Sequence, residues 1–138
     1  MPDARPFEAR LRAFIGVCKG FGIVPVLVTE PLATVRNGLT PDWANPDSQE
    51  VFNFVVRQVA AQEGVVLLDL SRHLVEKVPG YERPMQVFYD AMHVTDAGSR
   101  IYGEFLAAGL AELVLPTVLA RRQGRPVQNA GTPTATSH

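Results

Sequence analysis

The segment Phe88-Tyr-Asp-Ala-Met-His93 sets a carboxylate, Asp90, three residues before an imidazole, His93. A carboxylate beside an imidazole fixes its tautomer, stabilises the imidazolium and leaves the second ring nitrogen to act as a general base. In a Ser-His-Asp arrangement that base activates a serine hydroxyl. The pair falls in a loop between the last strand the pattern predicts and a helix starting at Thr95, a place where α/β proteins gather catalytic groups. Asp-x-x-His also arises by chance, and then Asp90 caps a turn while His93 packs against the helix start. The residues alone leave both readings open.

No second group completes a site from spacing alone. Ser71 follows Asp69-Leu70 at the end of an apolar run. No glycine there permits the tight turn that exposes a nucleophile, and capping of a short helix is the simpler role. Ser99 falls within the last helix, Ser48 in the first turn of another, and Ser137 in a C-terminal tail. Cys18 lies on an apolar helix stripe, where a thiol is usually inert core. His73 with Asp90 and His93 makes three metal-ligand types, but nothing fixes their geometry, and His138 is in the tail. No metal or cofactor is expected. Asn37-Gly38 reads as a turn, Asp69 as a helix cap or loop brace, and Trp43 and Phe88 as aromatics covering a core edge.

These residues must be positioned by elements that the apolar spacing predicts. Phe7, Leu11, Phe14, Ile15 and Cys18 form one helical stripe over 7–19, with Pro6 suited to its first turn and Gly20–Gly22 to its end. Ile23–Val28 reads as a buried parallel strand, which Pro25 delays or pushes to an edge. A long polar connection follows, of a length that usually marks a functional loop. Asp47-Ser-Gln-Glu50 imitates a capping box ahead of a second helix that Gly64 ends. Val65–Leu70 is the second strand, 74–78 a short helix, and Thr95 the N-cap of a last helix carrying Ile101, Tyr102, Phe105, Leu106, Leu110 and Leu113. This alternation predicts a parallel sheet wrapped by helices. Two parallel strands are too few for three amphipathic helices, so more sheet is expected from outside these elements.

Composition narrows the function classes. The 138 residues hold 13 basic and 14 acidic side chains, a formal net charge of −1, which offers no footprint for nucleic acid or an anionic membrane. A single cysteine excludes an internal disulfide and a Cys-rich zinc site. The most apolar stretch, Phe105–Ala120, is interrupted by Gly109, Glu112 and Pro116 and is expected to be too short to span a bilayer. The first residues are too charged for a signal peptide, so a cytoplasmic location is expected, with the true start of the protein left open upstream. After Leu115 the pattern dissolves, and residues 116–138 are expected to form a disordered tail behind a domain of residues 1–115.

Asp90-Ala-Met-His93-Val-Thr95-Asp-Ala-Gly98, followed by an amphipathic helix, resembles the final sequence block of the SGNH/GDSL hydrolases. Upstream, Gly22-Ile-Val-Pro-Val-Leu-Val-Thr-Glu-Pro31 is similar to a strand and loop of that family, and Val51–Leu70 to its next helix and strand, so the resemblance covers roughly residues 7–114. It implies a three-layer α/β/α, flavodoxin-like fold and ester hydrolysis through a serine, with Asp90 and His93 at the positions of the family's Asp and His. The family's Gly-Asp-Ser nucleophile block and Gly-x-Asn-Asp oxyanion block occur nowhere in this sequence. The resemblance therefore implies an incomplete copy of the fold, the C-terminal part. It would be inactive alone, act on a small-molecule ester once complete, and be open to self-association through an exposed sheet edge. The competing expectation is a non-catalytic truncated or degenerate α/β module that packs against a partner.

Overall fold

A computed structural model describes residues 3–32, 46–81, 85–90 and 92–123, with backbone only for 46–48. The chain is mixed α/β, mostly helical around a two-stranded parallel sheet. Helix α1 (Arg5–Gly20) carries Pro6 in its first turn, where a missing N–H costs nothing. It closes at Gly22, whose φ of 71° lets Gly22 N–H reach Lys19 O and Ile23 N–H reach Cys18 O. Strand β1 (Val26–Val28) starts only after Pro25, which lacks the N–H a ladder needs, so the apolar run from Ile23 yields three strand residues. Helix α2 (Pro46–Glu63) crosses over to strand β2 (Val66–Leu68), with Val26 opposite Val66 and Val28 opposite Leu68.

The second strand is shorter than its apolar run because Asp69 intervenes. The Asp69 side chain accepts from Arg72 N–H and caps helix α3 (Leu70–Lys77), which begins four residues before the predicted 74–78 segment. Asp69, and not Ser71, is thus the cap. One core joins α1, α2 and the sheet through Ile15, Leu27, Val55, Val56, Val59 and Ala60. A second core, Leu74, Val87 and Phe88 with Val94, Ile101 and Tyr102, holds α3, the segments 85–90 and 92–95 and helix α4 (Asp96–Gly109) together.

The C-terminal elements depart from expectation in two ways. A π-helical turn (Leu110–Val114) links α4 to helix α5 (Leu115–Arg122), so the helical path runs through Gly109, Glu112 and Pro116 without a break. Residues 116–122, expected to lie in the tail, are helical. Proline cannot donate to the preceding turn and its ring crowds the carbonyl there; the wide π turn immediately before it provides the room, and Pro116 then occupies the first turn of α5. Arg121 and Arg122 finish that helix, where cations suit the negative end of its dipole. The tail expected from 124 onward lies outside the described residues. Contrary to the expectation that 105–120 is too short to span a bilayer, 96–122 forms 27 continuous helical residues, long and apolar enough to cross a membrane by length and composition, with its most apolar window unburied.

Candidate functional site

Asp90 and His93 sit in a tight hairpin. Phe88 bridges Val94 in antiparallel fashion, Tyr89 N–H donates to His93 O at 3.0 Å, and Thr95 N–H donates to Val87 O at 2.8 Å. Alternation along the two arms sends Phe88 inward, against Tyr102 in the second core, and leaves Tyr89 and His93 outside. The second arm runs directly into α4, whose N-cap Thr95 accepts from Gly98 N–H at 3.0 Å.

Asp90 organises the hairpin tip. One carboxylate oxygen accepts from the backbone N–H groups of Met92 (2.9 Å) and His93 (2.7 Å), while the other lies 2.7 Å from His93 Nδ1. Asp90 thus caps the turn and pairs with the imidazole at once. The His93 and Met92 N–H groups, together with the His93 ring, hold the Asp90 carboxyl down at about 2. It is a carboxylate under all ordinary conditions. With Nδ1 facing a carboxylate, neutral His93 carries its proton there, and Nε2 presents a lone pair. Nε2 has no hydrogen-bond partner among the described residues, and the His93 side chain is 61% exposed. Tyr89 stacks on the imidazole with centroids 5.7 Å apart and planes 12° apart.

A second polar group stands at the carboxyl ends of the strands. Arg57 grips Asp69 with two nitrogens, at 2.8 and 3.0 Å, and also pairs with Glu50. Thr29, fully buried just past β1, donates to Asp69 at 2.8 Å and accepts from Ser71 N–H at 3.0 Å. Asn53, also buried, donates to Glu30 O and accepts from Glu30 N–H, both at 2.9 Å. Burial raises the Asp69 carboxyl, but Arg57, Thr29 and Arg72 N–H outweigh it and leave it below its ordinary value. Through Thr29, Arg57 and Arg72 N–H, Asp69 ties the end of β1, α2 and the start of α3 together, combining the helix-cap and loop-brace roles expected of it.

The remaining candidates fall elsewhere. Ser71 is held through its N–H in the first turn of α3, Ser99 N–H bonds to Thr95 O in α4, and Cys18 is buried in α1. His73 packs against Phe105 with ring centroids 4.4 Å apart and planes tilted by 30°; among the described residues no three His, Cys, Asp or Glu side chains gather as metal ligands would. Asn37, Gly38, Trp43, Ser137 and His138 lie outside the described residues, as does the side chain of Ser48. The described residues form shallow clefts. One of about 380 Å³ runs between α3 and the long helix beside His73, and one of about 400 Å³ lies between Phe7, Leu11, Phe52 and β1. Neither is lined by Asp90 or His93.

Tyr89, Arg57 and Thr29 were not predicted. Tyr89 was legible in principle, since apolar-aromatic and imidazole-apolar pairs flank a three-residue tip in mirror order. Arg57 and Thr29 carry no such signal, because the Asp69 group assembles across two strands and a helix. No protein-family model and no curated protein matches this sequence.

Proposed function

We propose that this chain is the acid–base part of an SGNH/GDSL-type serine ester hydrolase, with a flavodoxin-like sheet completed by polypeptide outside these 138 residues. The observation that carries the reading is the Asp90–His93 contact of 2.7 Å, made by a carboxylate whose other oxygen is already locked by two backbone N–H groups. In this reading Asp90 orients His93 and stabilises its cationic form. His93 Nε2 takes the proton of a serine hydroxyl as that oxygen attacks the ester carbonyl carbon. The same proton passes to the alkoxy leaving group, the alcohol departs, and water repeats the sequence to release the acid. Serine and oxyanion donors come from the partner segment, since Gly-Asp-Ser and Gly-x-Asn-Asp are absent from the sequence.

A second reading, a non-catalytic α/β module that packs against a partner, is favoured by the exposed apolar side chains Phe14, Val17, Leu110, Leu113, Leu115 and Leu119. Both readings expect a docking partner; only the first expects turnover. Co-expression with the N-terminal part of an SGNH esterase, carrying both missing blocks, separates them. Cleavage of a short-chain chromogenic ester by the pair, and by neither half, supports the hydrolase. A stable complex without turnover supports the packing module.

A further inference from the structure

Tyr89 and His93 leave the backbone as facing residues of one hairpin, one step beyond the Phe88–Val94 bridge toward the tip. Facing side chains on the same side of an antiparallel pair lie close enough to interact. Here they do so ring on ring, 5.7 Å between centroids and 12° between planes. From this geometry we infer that Tyr89 is a positioning residue for His93: its ring face fixes the imidazole plane in which Nδ1 meets Asp90 and Nε2 faces outward. The inference rests on the general-base reading only for its purpose; the positioning itself is a property of this chain.

The need for such a device follows from exposure. His93 is 61% exposed, and it is tied to Asp90 by a single ring hydrogen bond. A quarter-turn about the bond to the ring would swing Nδ1 out of reach of the Asp90 carboxylate, and water would then serve either nitrogen equally well. Burial does not prevent this here, as it does when a histidine is packed within a core. The stacked ring does, because leaving the plane forfeits the aromatic contact, which is worth about a three- to tenfold population ratio. The aromatic face and not the hydroxyl makes this contact, so phenylalanine should serve as well as tyrosine.

Long-range ¹H–¹⁵N spectra of the full chain give the ratio of Nδ1–H to Nε2–H forms at His93. Tyr89→Phe is expected to keep the wild-type ratio. Tyr89→Thr keeps the strand preference while removing the ring and is expected to lower the ratio by about three- to tenfold. Methyl signals of Val87 and Leu74 report whether the core beneath stays intact; if Tyr89→Thr disturbs them, Tyr89→Leu supplies the same comparison. An unchanged ratio without the ring, or an equal fall in Tyr89→Phe, overturns the inference. The readout needs no turnover. A reconstituted pair that fails to cleave esters would count against the general-base reading and leave the tautomer result standing.

Discussion

Gly98 rests against the carbonyl oxygen of Val87, where a β-carbon on residue 98 would come within 2.2 Å. The same carbonyl accepts from Thr95 N–H at 2.8 Å, so the first turn of α4 and the arm leading to Tyr89 share one contact point. Backbone cannot yield there as a side chain can. Gly98→Ala is expected to cost about 1–3 kcal/mol in urea unfolding and to shift the His93 signals. Gly109→Ala meets only the tip of the Leu68 side chain, at 2.5 Å, and should cost less than Gly98→Ala although both glycines are helical. Equal losses would show that the Val87 contact is not special.

Asp90 makes the hairpin tip sensitive to acid in a defined window. Its carboxyl is held at about 2, below the ordinary 3.8, by the Met92 and His93 N–H groups and the His93 ring. A depressed carboxylate contributes its stabilisation above the unfolded value and loses it as pH falls through the folded one. The Met92 and His93 amide shifts should therefore hold steady down to about pH 4 and change as pH falls toward 2. Asp90→Asn should abolish that step. A step in wild type at or above the ordinary carboxyl value would contradict the contact.

Arg57 and Asp69 are each largely buried, and Arg57→Leu would leave the carboxylate with Thr29, Arg72 N–H and the exposed Arg72 side chain. A loss of about 1–3 kcal/mol is expected near neutral pH. Because the native Asp69 carboxyl lies below its ordinary value, wild type should lose this contribution only as pH drops through that lowered value. The acid-unfolding midpoint of Arg57→Leu should accordingly move to higher pH, as seen by circular dichroism. An unmoved midpoint would mean the pair does not brace the sheet.

The long helix offers a test of association. Leu110, Leu113, Leu115 and Leu119 are 45–51% exposed on a 27-residue helix whose most apolar window is unburied. Apolar surface of this extent is usually covered. The chain alone is expected to self-associate with rising concentration in sedimentation, and Leu113→Lys with Leu119→Lys to shift it toward monomer. Monomeric wild type at high concentration would show that the face needs no cover.

Local signals carried most of the helices and the Asp90–His93 contact, because apolar spacing, Gly22 and the Thr95 cap each act within a few residues. What was illegible depended on distant partners. Asp69 was legible as a cap or brace, but the convergence of Arg57 and Thr29 on it, which sets where β2 ends and α3 begins, is a gathering no window of sequence contains. Pro116 suggested a stop and became the first turn of a further helix, because a π turn absorbed it.

The central claim is most directly tested by kcat/KM for a short-chain ester in the reconstituted pair, with His93→Ala and Asp90→Asn introduced singly and together. The account predicts that His93→Ala lowers kcat/KM by about 10²- to 10⁴-fold, chiefly in kcat. Asp90→Asn should produce a large share of that loss, and the double variant should be no worse than His93→Ala alone, because the two act as a unit. A reconstituted enzyme indifferent to His93→Ala, or full activity from this chain without a partner, would contradict it.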